Sequence, residues 1–222
     1  MSEKNMLTKL MSILVLALLA GSALAQEGYA PNGDYSLLGF SLIRTKYAND
    51  VCVPLGDCHQ GESGLGLHAS YQIIPNLMVG LNSAAGQSSG NTSTLKQSQG
   101  GLFVGFVMGV GDYFDIGGLL SPLSKKSESC LGSLCTTSED TGTEVGLFGK
   151  WWINEEKTFN IGMNLDSYAY SNNTTRYSSS ALSMAYMLGG HHELSLTGAR
   201  LKDSTAADVN STFSLGYNYH FR

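Results

Sequence analysis

The chain has 222 residues, a formal net charge of −5 and only 14% charged residues. With no basic excess to meet phosphates, nucleic acid is excluded as a partner class. The 27 glycines and 4 prolines, with abundant Ser, Thr and Asn, suit strands and turns better than helices, and the length fits one domain.

Reading from the start, Lys4 and Lys9 precede an apolar run over residues 10–20, followed by small residues at Ala23 and Ala25. This is a basic n-region, a short h-region and an A-x-A cleavage site. Residues 1–25 are therefore expected to be a cleaved signal peptide. The run is shorter than the ~20 residues of a spanning helix. Residues 26–34 would be a periplasmic segment and residues 35–222 one domain.

That domain reads as alternating segments of the ~9–11 residues that a tilted spanning strand needs. Residues 35–44 set Leu38, Phe40 and Leu42 against Gly39 and Ser41; residues 62–73 set Leu65, Leu67 and Tyr71 against Gly64, Gly66 and His68. After the Pro75-Asn76 turn come residues 77–86, then 101–110 with Leu102, Val104, Phe106 and Met108 in phase. Gly111-Asp112 turns the chain into residues 113–121. Residues 143–152 carry Val145, Leu147 and Trp151 against Glu144, Gly146, Phe148 and Lys150. The segment from Phe159 sets Ile161, Met163 and Leu165 against Asn160, Gly162, Asn164 and Asp166. Residues 177–187, 192–201 and 213–221 complete the set, the last with Phe213, Leu215, Tyr217, Tyr219 and Phe221 on one face. Ten strands joined alternately by short turns and long polar links predict an all-β fold. It is an antiparallel, up-and-down transmembrane β-barrel with long external loops, and eight strands is the alternative count.

The longest links, residues 45–61 and 122–142, each hold a cysteine couple, Cys52 with Cys58 and Cys130 with Cys135. In an oxidising compartment these read as two local disulfides, although four cysteines allow three connectivities. Neither couple has C-x₂-C spacing, so no metal is expected, and no motif calls for a cofactor.

The threading places Tyr35, Tyr71, Tyr113, Phe114, Trp151, Trp152, Phe159, Tyr186, Tyr219 and Phe221 at the periplasmic ends, as an interfacial girdle. Arg44, Lys46, Lys96, Lys125, Lys126, Arg176, Arg200 and Lys202 fall at or beyond the external ends. Arg44 and Arg200 share parity with the apolar faces, which suits contact with lipopolysaccharide phosphates.

Ala23-Leu24-Ala25 and the terminal strand ending Tyr217, Tyr219, Phe221 carry a resemblance. The sequence resembles the small β-barrel proteins of the Gram-negative outer membrane, the broad outer membrane protein A-type and opacity-type group. The resemblance implies an outer-membrane location and a last strand that the barrel assembly machinery recognises. Here Arg222 follows the final Phe221, a departure from that pattern.

By parity the lumen holds a polar network of His68, Asp115, Glu144, Lys150, Asn164, Asp166, Glu193 and His220. It would form either a hydrogen-bonded plug or a narrow cation-preferring pore. No serine faces the membrane beside a histidine, so no catalytic residue is assigned and an enzyme is not expected. The reading is a structural or surface-interaction barrel in outer-membrane lipid, presenting disulfide-pinned external loops whose ligand no motif specifies. A channel is the alternative, and a lipid- or protein-hydrolysing barrel the third possibility.

Overall fold

The computed structural model describes residues 30–172, 176–203 and 209–221. The cleavage site after Ala25 and Arg222 lie outside the described residues.

Ten antiparallel strands close on themselves: β1 (Leu37–Cys52), β2 (Cys58–Ile74), β3 (Leu77–Ser89), β4 (Ser93–Val110), β5 (Phe114–Leu131), β6 (Leu134–Trp152), β7 (Phe159–Tyr170), β8 (Arg176–Leu188), β9 (His192–Asp203) and β10 (Val209–His220). Each pairs with its sequence neighbours, and β1 pairs with β10 from Leu37↔His220 to Lys46↔Ser211. Closure leaves no unpaired edge, which a hydrocarbon environment requires.

Because strand side chains alternate, one row per strand faces out. Leu38, Phe40, Leu42, Leu65, Leu67, Leu147, Met163, Leu182, Leu196, Phe213 and Leu215 are all exposed on the wall. Gly216 and His220 on β10, and Glu193 on β9, are buried inside. An apolar exterior around a polar interior inverts a soluble protein and matches a lipid solvent.

The links expected as long loops are instead strand. β1 and β2 continue to Cys52 and Cys58, and β5 and β6 run on to a two-residue turn at Gly132-Ser133, where Gly132 takes φ 57°. These extensions carry Ser, Thr, Lys and Glu on both faces, so they lack the apolar alternation by which strands are recognised. Backbone pairing and cross-strand charge pairs hold them instead: Lys126 faces Glu139 and Lys96 faces Glu128. The wall is consequently lopsided. A 12-residue strand such as β7 tilted by ~40° rises about 30 Å, roughly the membrane. The 18 residues of β5 rise about 45 Å on the same basis, so β4–β6 stand some 15 Å proud of it.

The buried apolar cluster lies inside the barrel near its periplasmic end: Tyr35, Met78, Phe103 and Val107, with Leu119 and Phe148 packed against it. Two residues expected in the aromatic girdle belong here instead. Tyr35 precedes β1 but shares the inward parity of Leu37 and Gly39, and its ring lies 6.0 Å from that of Phe148. Trp152 shares the inward parity of Lys150 and is 3% exposed, whereas Trp151 stays outside at 55%.

Candidate functional site

Two regions concentrate polar chemistry, the external crown of hairpin tips and the lumen. In the crown, Cys52 and Cys58 close the β1–β2 hairpin, and Cys130 and Cys135 pair directly across β5 and β6. Asp57, in the turn after β1, ties its hairpin to the β3–β4 tip. Its Oδ2 accepts from Thr92 N at 2.6 Å, Thr92 Oγ1 at 3.1 Å, Ser93 N at 3.0 Å and Ser93 Oγ at 3.3 Å. These donors, the Thr92 N–H foremost, hold its carboxyl below the usual carboxylate range. Gly132 N donates to Thr92 O at 3.1 Å, joining the third tip. The crown is therefore a stitched unit, with Leu55, Leu134 and Val51 projecting from it at 97%, 76% and 39% exposure.

His59 was not among the expected site residues. It bridges Ser88 Oγ (2.9 Å) and Ser93 Oγ (3.1 Å) inside the crown. The grouping of Asp57, Ser93 and His59 imitates a hydrolytic triad, but Asp57 bonds Ser93 rather than orienting the imidazole. Ser93 and His59 are 4% and 3% exposed. Their partnership depends on β2 lying beside the β3–β4 turn, which no local motif reveals.

The lumen residues do not form one network. At the floor, Asp115 is fully buried and clamps the segment before β1. It accepts from Asn32 N (2.6 Å), Gly33 N (3.0 Å), Tyr35 Oη (3.0 Å) and Trp152 Nε1 (3.3 Å). Lys157 Nζ adds a bond to Asn32 Oδ1 at 3.0 Å. Beside this clamp, Glu193 takes Lys150 Nζ at 3.2 Å and Asn218 Nδ2 at 2.8 Å, with His220 Nε2 at 3.6 Å. Lys150 also lies 4.6 Å above the Trp152 ring. Higher up, His68 bonds Asn82 and stacks on Phe103. Glu144 bonds the Tyr168 hydroxyl near Asp166. Asn164 lines the lumen but joins none of these groups.

A cavity of about 520 Å³ stands on this floor, lined by His68, Asn82, Glu144, Lys150, Asn164 and Asp166 among others. A second space of about 300 Å³ lies above it, bounded by Tyr47, Glu62, Gln97, Gln99 and Lys125. The periplasmic end of the lumen holds this hydrogen-bonded clamp and the apolar Tyr35, Met78, Phe103 and Val107 cluster. Of the terminal-strand residues, Tyr217 takes His192 through a 2.7 Å contact, and Tyr219 packs edge-on to Phe221. Arg44 and Arg200 face out from β1 and β9, and both are exposed.

An outward apolar band, a polar lumen and a closed antiparallel wall define a transmembrane β-barrel of the outer-membrane kind. No family model matches the sequence, and no curated protein matches it significantly. Among solved structures, the chain is similar to the NanC porin, with 9% identity, 83% of this chain and 100% of that chain covered, and a TM-score of 0.49. It is similar to the translocator domain of the autotransporter NalP from Neisseria meningitidis, with 14% identity, 98% of each chain covered and a TM-score of 0.46. It is also similar to Ail, the attachment invasion locus protein of Yersinia pestis, with 13% identity, coverage of 83% and 95%, and a TM-score of 0.42. At such identities none of these proteins' roles carries over.

Proposed function

We propose that this chain is a surface-interaction barrel of the Gram-negative outer membrane whose working part is the external crown. The observation that carries this reading is the investment of strand in that crown. Six strands rise to it, two cysteine pairs close it, and Asp57 and Gly132 stitch its tips. A rigid platform lowers the entropy lost when a partner docks. Leu55 and Leu134 stand on it as exposed apolar anchors. The floor formed by Asp115, the residues before β1 and the Tyr35–Phe103 cluster argues against a through-channel.

The test displays the barrel on cells lacking other adhesive structures and measures retention on protein-coated glass under flow. Wild type is expected to be retained and the Leu55→Asp/Leu134→Asp variant to wash off, with heat-modifiable migration unchanged. Equal retention of the two, or stepwise conductance of the wild type in planar bilayers, would count against the reading.

A further inference from the structure

The wall on either side of β10 carries a second surface. β10 lies between β9 and β1, and the two registers align their outward rows. One row reads Leu42, Leu215, Leu196; the next, toward the exterior, Arg44, Phe213, Gly198; the next, Lys46, Ser211, Arg200. Lys202 stands one step further out, opposite Val209. Neighbouring strands are about 4.8 Å apart and same-face positions about 7 Å apart along a strand. Lys46 therefore faces Arg200 across roughly 10 Å, with the exposed Ser211 between them, and Arg44 and Lys202 stand one row to either side.

We propose that Arg44, Lys46, Arg200 and Lys202, arranged around Ser211, form a binding site for the phosphorylated headgroup of lipopolysaccharide. Three observations support it. First, none of the four cations has a carboxylate partner among the described residues, whereas the cations of the β4–β6 face are already neutralised by Lys96–Glu128 and Lys126–Glu139 ion pairs. Asp50 and Asp203 lie further out along β1 and β9. Secondly, the wall beside Phe213 is uncrowded: a side chain at Gly198 would meet nothing within 4 Å, so a sugar–phosphate has room to approach. Thirdly, the Leu42, Leu215, Leu196 row lies directly below, where acyl chains of the same lipid would pack. Guanidinium and ammonium groups grip phosphate oxygens by charge-assisted hydrogen bonds, strengthened at the edge of a low-dielectric layer.

This surface is independent of the crown reading. Its test uses the refolded protein in detergent, with binding of bisphosphorylated lipid A followed by native mass spectrometry. The Arg44→Gln/Lys46→Gln/Arg200→Gln/Lys202→Gln variant is expected to bind at least tenfold more weakly, and Lys96→Gln/Lys126→Gln to bind like wild type. Gly198→Leu, which adds bulk beside Phe213 without changing charge, is expected to weaken binding. Dephosphorylated lipid A should bind wild type no better than bisphosphorylated lipid A binds the quadruple variant. If that variant does not fold, Ser211→Asp places a carboxylate at the centre of the frame and should weaken binding equally. Undiminished binding by the frame variants, an equal loss from Lys96→Gln/Lys126→Gln, or equally tight binding of phosphatidylglycerol would overturn the proposal.

Discussion

Trp152 donates its indole N–H to the Asp115 carboxylate, 3.3 Å away, across the floor of the barrel. The same carboxylate holds two backbone amides of the segment before β1 and the Tyr35 hydroxyl. A single side chain thus joins β5, β6 and the entering chain.

Asp115→Ala would leave those four donors without their acceptor in a buried site. Each unsatisfied group costs ~1–3 kcal/mol, and partial rearrangement would leave a net loss of about 3 kcal/mol. The measurement is the urea midpoint of the refolded barrel, followed by tryptophan fluorescence. An unchanged midpoint would show that the clamp contributes nothing.

Lys150 and Glu193 are a buried pair, their side chains 15% and 7% exposed. Lys150→Ala strands a carboxylate beside His220 and should destabilise by ~3–5 kcal/mol, whereas Lys150→Met/Glu193→Leu should cost much less. A double-mutant cycle in urea reads the difference as the coupling energy. Additive losses would mean that the two charges do not sense each other.

Asp57 gives the crown a pH dependence of known sign. Its folded pKa is lowered by the Thr92 and Ser93 donors. Its stabilisation is therefore complete above the ordinary carboxylate value near 4 and is lost as pH falls through the lowered folded value. Amide exchange at Thr92 and Ser93, corrected for intrinsic rates, should stay slow at neutral pH and accelerate only in that acid window. Asp57→Asn should abolish the transition; a transition that persisted in this variant would assign it to another group.

The cysteine pairs close loops with sequence separations of 6 and 5 residues, and for so short a loop chain entropy contributes about 2 kcal/mol each. Reduction should therefore open the crown to protease while the heat-modifiable barrel survives. Cleavage confined to residues 45–61 and 122–142 is the expected pattern, and loss of the barrel itself would show that the hairpins support the wall.

The strand alternation was legible because the pleat has a period of two and lipid selects one face. The exposed Leu and Phe of the membrane band, from Leu38 on β1 to Leu215 on β10, obey it. The hairpin extensions were not legible, because Ser, Thr, Lys and Glu on both faces of β5 and β6 leave no apolar period to detect. Trp152 was misplaced because aromatic residues near a strand end suit both an interfacial girdle and a buried donor. Its parity with Lys150 and its acceptor, Asp115 on the neighbouring strand, distinguish the two.

By itself, then, the sequence carried the antiparallel up-and-down barrel, with ten strands expected and eight as the alternative, and most of the side chains that meet lipid or line the lumen, since those follow from local alternation. Tertiary structure alone decided the rest: the floor that Tyr35 and Trp152 build under Asp115, the stitched crown, and the frame of Arg44, Lys46, Arg200 and Lys202 around Ser211. The first two depend on contacts between segments far apart in the chain, and the third on the register set when β1 closes against β10.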